Sequence, residues 1–152
     1  MNQLEDPEII EALCDASQAG ISIDLIIRGF CCLRPGVRGI TENIRVRSII
    51  GRFLEHSRIY YFANGAEPIH EGEFYIGSAD WMYRNLSKRI EVVTPITAPR
   101  ARLRLADVLE ISLQDRRQAW ILNSDGSYSR ESDPPGDAIG THRQLMEIAL
   151  HD

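Results

Sequence analysis

Asp6-Pro7-Glu8-Ile9-Ile10-Glu11-Ala12-Leu13-Cys14-Asp15-Ala16-Ser17-Gln18-Ala19-Gly20-Ile21-Ser22-Ile23-Asp24-Leu25-Ile26-Ile27 is the stretch whose reading decides the fold. Asp6 suits the N-cap of a helix, Pro7 its first turn and Gly20 the position just past its end. Ile9, Ile10, Leu13 and Cys14 recur at helical spacing, so one face of that helix is expected to be buried. After the glycine, Ile21, Ile23, Leu25 and Ile27 alternate on one side of a strand. Ile26 adds an apolar residue on the other side, the pattern of a sheet covered on both faces. A helix, a tight turn and a buried strand in succession is the grammar of an α/β protein.

Working outward, residues 57–62, 73–77 and 89–93 read as further strands. Asn64-Gly65 marks a turn, so the first two form a hairpin with a long loop through Pro68 and Gly72. Pro99 opens a second long helix, with Leu105, Val108, Leu109 and Ser112 on one stripe, running to about Arg117. Trp120-Ile121-Leu122 and Tyr128 flank Asn123-Ser124-Asp125-Gly126, a second hairpin turn. Ser132-Asp133-Pro134-Pro135-Gly136-Asp137 reads as a flexible connector. A last helix starts at Thr141, with Gln144 placed to complete a capping box. The expectation is one domain over 1–152, with 131–152 as connector and terminal helix: a mixed sheet flanked by helices.

The chain has 152 residues, of which 43% are apolar and 26% charged, the balance of a folded globular domain rather than a disordered or fibrous chain. Apolar runs are only a few residues long, so no membrane span is expected. The acidic start, Met1 to Asp6, lacks the apolar stretch of a leader peptide. Three cysteines, two of them the adjacent pair Cys31-Cys32, are too few for a disulfide framework and lack zinc spacing. They read as buried free thiols in a reducing cytoplasm. A net charge of −5 argues against a general nucleic-acid coat.

That charge is unevenly placed. Between Arg28 and Arg58 stand seven arginines (Arg28, Arg34, Arg38, Arg45, Arg47, Arg52, Arg58) against Glu42 and Glu55. From Asp107 onward nine acids face four arginines. All seven cations of the basic block are arginine, whose planar fork suits bidentate contacts to phosphate, whereas an indifferent solvated face usually mixes in lysine. Phosphate or polyphosphate is therefore the expected ligand class. His56 lies inside this block beside Arg52 and Arg58, where an imidazole could exchange a proton with a phosphorylated substrate; its alternative is a structural histidine at a strand start. His70, His142 and His151 read as surface residues. No set of histidines and carboxylates has metal-ligand spacing, so no metal site is expected from this chain alone.

Gly77-Ser78-Ala79-Asp80 after a strand can aim backbone N–H groups at an anion. Together with His56-Ser57-Arg58 it resembles the H-x-K and G-S-x-N motifs of the phospholipase D superfamily. The departures are Arg58 in place of lysine, Ala63 where an acid is expected, and a longer intervening loop. They disfavour a phosphodiesterase.

A closer resemblance is carried by Arg28-Gly29-Phe30-Cys31-Cys32-Leu33-Arg34-Pro35-Gly36 and by the continuous block from Glu42 to Phe62. Ser78-Ala79-Asp80-Trp81-Met82, Arg84-Asn85-Leu86 and Arg89-Ile90-Glu91-Val92 extend it. In order, from about Leu4 to Tyr128, these blocks resemble the C-terminal, second phospholipase-D-like domain of bacterial polyphosphate kinase. The resemblance implies a phospholipase-D-like α/β fold. It also implies reversible transfer of the terminal phosphate of ATP to inorganic polyphosphate, with magnesium, through a phosphohistidine in a preceding domain. By the same resemblance Arg28 and His56 contact the nucleotide, and His56 is the candidate catalytic acid/base. Arg52, Arg58 and Ser78 are further candidates for the polyanion path. The implied partners are ATP/ADP, polyphosphate and the other domains of the same enzyme. The surface where the absent domain would dock is expected to be apolar, which would allow self-association of this chain in its place. The implied location is the cytoplasm, with membrane association in the full enzyme. The alternative function is a stand-alone polyphosphate- or nucleotide-binding module without catalysis.

Overall fold

A computed structural model describes residues 1–130, 136 and 138–151. The first helix, α1, spans Pro7–Gln18; the Asp6 carboxylate accepts from the Ile9 N–H at 3.1 Å, and Gly20 takes φ +87°, as the cap signals require. The strand β1 (Ile23–Ile26) follows and pairs in parallel with β2 (Ile44–Ile49), from Ile23 opposite Ile44 to Ile26 opposite Arg47. β2 then pairs antiparallel with β6 (Ala119–Leu122), and β6 with β7 (Tyr128–Arg130), giving a mixed four-stranded sheet. A second, antiparallel sheet of three strands holds β3 (Ile59–Phe62), β4 (Glu73–Gly77) and β5 (Val93–Ile96). Helices α2 (Tyr83–Lys88), α3 (Pro99–Gln114) and α4 (Thr141–His151) complete the order.

The α/β class, the two hairpins and the long helices follow the sequence pattern, but the strands divide between two sheets. The central strand β2 is one that the charge reading passed over. Ile44, Val46 and Ser48 turn to one face and are buried, while Arg45 and Arg47 alternate on the other, Arg45 exposed and Arg47 half-buried, a period-2 pattern hidden under its arginines. Residues 89–93 do not form the expected strand, since pairing starts only at Val93. Ile90 is fully exposed, and Val92 uses its carbonyl to accept the Ser78 N–H. Pro95, which has no N–H to give, is accommodated because β5 is an edge strand.

Three local expectations also change. Ile21 is 55% exposed rather than buried, because β1 begins only at Ile23. The second long helix stops at Gln114, where the Asp115 carboxylate accepts the Arg117 and Gln118 N–H groups. Asp115 also accepts the Thr141 N–H and hydroxyl. Thr141 is the first residue of α4, whose first backbone bonds run to the Gly140 carbonyl, so it does not stand at the N-cap that a capping box needs, and Gln144 instead donates to the Ile139 carbonyl. Most of the connector 132–137 lies outside the described residues. The three thiols are free, as expected, but Cys32 is exposed and Cys14 and Cys31 are only half-buried.

The core comprises Leu4, Leu25, Ile27, Leu33, Ile44, Val46 and Leu122, with Ile9, Ile10, Leu13 and Trp81 packed on it. Residues 1–6 run between the two sheets. Leu4 bridges Cys31 on one side and Trp81 on the other, and the Glu5 and Asp6 N–H groups both reach the Trp81 carbonyl. Leu4 has no exposed surface, so Leu4→Ala is expected to cost about 2–5 kcal/mol of stability. Ile21→Ala should fall within about 0.5 kcal/mol of the parent. Urea unfolding of the two variants checks the difference.

Candidate functional site

Arg28 stands just beyond the C-terminal end of β1, on backbone fixed from both sides. Its N–H donates to the Met1 carbonyl, and its own carbonyl accepts the Ser48 hydroxyl at 2.7 Å. The next residue must be glycine-sized, since a Cβ on Gly29 would lie 2.9 Å from the Asn2 carbonyl. From this anchored base the Arg28 guanidinium donates through Nη1 to the Glu55 carbonyl at 2.9 Å. Arg28 and the residue preceding His56 thus meet directly, and four of the five guanidinium N–H donors are left over from that contact.

The turn that presents His56 is tied by Glu55. One oxygen of its carboxylate accepts the His56 N–H at 3.0 Å, the Ser57 N–H at 2.9 Å and the Ser57 hydroxyl. Burial pushes this carboxyl up, but the Ser57 and His56 donors outweigh it and hold it below the ordinary range. His56 itself is exposed, with Nδ1 lying 3.4 Å from the Asn2 amide nitrogen.

Behind His56 lies Asp80, the last residue of Gly77-Ser78-Ala79-Asp80. Arg58 donates to it bidentately, Nε at 3.2 Å and Nη2 at 3.1 Å, and also gives Nη1 to the His56 carbonyl. Asn2 supplies its backbone N–H at 2.7 Å and its amide Nδ2 at 3.1 Å. Burial again pushes the carboxyl up, and the Arg58 and Asn2 hydrogen bonds outweigh it, holding Asp80 below the usual carboxylate range.

The sequence candidates therefore separate. Arg28, His56 and Arg58 come together, but the Arg58 guanidinium is engaged with Asp80 and the His56 backbone. The Ser78 hydroxyl donates to Glu91 and accepts the Val92 N–H. Arg52 lies over the Phe53 ring, 5.8 Å from its centroid, and lines an open cavity with Arg117, His142 and Arg143. Other arginines of the basic block are also occupied: Arg34 on the Ser124 carbonyl, Arg45 on Asp24, and Arg47 on the Leu113 carbonyl. His142 is 4% exposed rather than on the surface, and its Nδ1 accepts the Phe53 N–H at 3.1 Å. Sequence reasoning missed Asn2, which no local pattern marks. It gave Asp80 no role, although the acid in the fourth position of a G-S-x-N-like motif was a usable signal.

Comparison with known proteins places these residues in a family. The family model described as polyphosphate kinase C-terminal domain 2 matches residues 1–139. A polyphosphate kinase from Thermosynechococcus vestitus is 57% identical over 153 residues, which take in 100% of this chain and 20% of that protein. One from Pseudomonas aeruginosa is 54% identical over 90% of this chain and 19% of its own length. The crystal structure of polyphosphate kinase from Porphyromonas gingivalis superposes with a TM-score of 0.90 at 38% identity, covering 99% of this chain and 22% of that one. The chain thus spans about a fifth of the length of the curated relatives it matches, and its α/β fold is the phospholipase-D-like one of its structural neighbour.

Asp80→Asn would leave Arg58 largely buried without its counter-charge, at an expected cost of about 3–5 kcal/mol. Because the Asp80 carboxyl is held below its ordinary value of 3.8, its contribution is complete above that value. It is lost as pH falls through the lower, folded value. Urea unfolding of parent and variant at neutral and acidic pH should show the gap between them narrowing on acidification.

Proposed function

The chain belongs to the polyphosphate kinase family as its C-terminal domain 2, and on that premise we propose that it forms the nucleotide-side wall of an ATP–polyphosphate phosphotransferase. The observation that carries this reading is the contact between the Arg28 guanidinium and the turn that presents His56. It ties a cation to the turn that carries an exposed imidazole, at the end of a parallel strand, the place where open α/β sheets bind ligands.

The chemistry is phosphoryl transfer. The bond from the terminal phosphorus of ATP to its bridging oxygen breaks and ADP leaves. A P–N bond forms on a histidine of a preceding domain, and the terminal oxygen of polyphosphate then attacks that phosphorus and displaces the histidine. Every step is reversible. The transferring group is loosely bonded and highly charged, so the protein contributes chiefly position and cationic stabilisation. In this assignment Arg28 holds nucleotide phosphate with the guanidinium donors that Glu55 leaves free, and His56 manages a proton or charge opposite the phosphohistidine. Arg52 remains a candidate for the polyanion path, since its partner is an aromatic face rather than a carboxylate.

Magnesium is the ion the family implies. Among the described residues no three His, Cys, Asp or Glu side chains gather to hold a metal, and the oxygens of Asp80 already serve Arg58 and Asn2. The residues present do not fit a magnesium site. Among the described residues no helix is long and apolar enough to cross a membrane; a cytoplasmic setting is part of the proposal.

Two outcomes test the reading. In the complete enzyme His56→Ala should lower turnover by about 10²-fold or more, the usual loss for a positioned proton-transfer group; unchanged turnover would reduce His56 to a structural role. The isolated chain should bind ATP or polyphosphate weakly, lose that binding as salt rises, and synthesise nothing, because one wall of the site is missing. Incubation with labelled ATP and magnesium checks this. Polyphosphate synthesis, or a stable phosphohistidine on His56, would place the chemistry in this domain instead.

A further inference from the structure

Asn2 has no part in the phosphoryl transfer, yet the residue is only 3% exposed and its side chain sits between Asp80 and His56. Asp80 is held in its ionised form and offers only acceptors, so the Asn2 amide must face it with NH2 rather than with oxygen. That orientation leaves Asn2 Oδ1 buried with no hydrogen-bond partner, an uncompensated polar atom that shows how firmly the carboxylate dictates it. An NH2 group has two hydrogens. One is given to Asp80 Oδ2 at 3.1 Å, and the nitrogen stands 3.4 Å from His56 Nδ1. Nδ1 can take the second hydrogen only as an acceptor, through its lone pair, which puts the proton of the neutral ring on Nε2.

We propose that Asn2 is a positioning residue for His56, locking its imidazole as the Nε2–H tautomer so that an N–H, not a lone pair, is offered to phosphate oxygen. Phosphate oxygens are acceptors only, so the other tautomer would set two lone pairs against each other. Asp80 orients Asn2, Asn2 orients His56, and Arg58 keeps Asp80 charged. The charged groups around the ring are Arg58 and Asp80 behind it and Arg28 and Glu55 beside it. The use of this N–H rests on the reading of His56 as a nucleotide-facing residue.

Long-range ¹H–¹⁵N NMR of the chain at mildly alkaline pH reads tautomers directly. His56 is expected to show fully separated nitrogen shifts, with Nδ1 bare and Nε2 protonated. The exposed His70 and His151 should give shifts averaged between the two forms. Asn2→Ala should move His56 to that averaged pattern, while His142, whose Nδ1 accepts the Phe53 N–H, keeps the separated one and reports an intact fold. Should the variant lose the His142 pattern, the parent's His56 shifts decide alone. Averaged shifts or an Nδ1–H form in the parent would overturn the proposal, as would a folded Asn2→Ala variant with His56 unchanged. ATP is absent from these measurements. Failure of nucleotide binding at Arg28 and His56 would thus overturn the functional reading and leave the tautomer result standing.

Discussion

The carboxylate of Asp80 is the constraint on which the rest depends. It joins three segments distant in sequence: Arg58 at the start of β3, Asn2 in the strip between the two sheets, and its own turn after β4. Its bidentate pairing with Arg58 is mostly out of solvent, where both charges have lost hydration and tolerate little displacement. Through Asn2 it extends to the His56 ring, and through Arg58 to the His56 carbonyl. The imidazole itself remains exposed, so a rigid support holds a group that is open to ligand.

Arg28 reaches the same turn from the other sheet, and the division of labour among the arginines follows. A basic block of seven arginines looks like one anion-binding surface, yet four of them are structural ties: Arg34, Arg45, Arg47 and Arg58. Arginine suits that work because its fork can satisfy a carbonyl or a carboxylate with more than one N–H. Arg28 differs in spending only Nη1 on the turn. A cation that is both anchored and under-used is the kind that can take a phosphate without first leaving a carboxylate.

What could be read in the sequence was local. The caps of α1, the Asn64-Gly65 hairpin and the turn before β7 are set by residues a few positions apart, and all are present. β2 escaped because its arginines were read as charge before its alternation was read as a strand. The contacts of Asn2 span 54 positions to His56 and 78 to Asp80, and no periodicity encodes such distances. His142 escaped similarly: its burial depends on Asp115 and Gln118 receiving the start of α4. That Arg28 would approach the segment carrying His56 was legible through family resemblance and through the strand-end position of Arg28. The support behind them was not.

The central claim is that Arg28 and His56 act on nucleotide phosphate as one site. A double-mutant cycle on ATP affinity in the complete enzyme, with Arg28→Ala, His56→Ala and the pair, tests it most directly. Residues sharing a ligand group should couple, with the double variant departing from the sum of the singles by about 0.5–3 kcal/mol. Strict additivity would contradict the account, as would ATP affinity unchanged in both single variants.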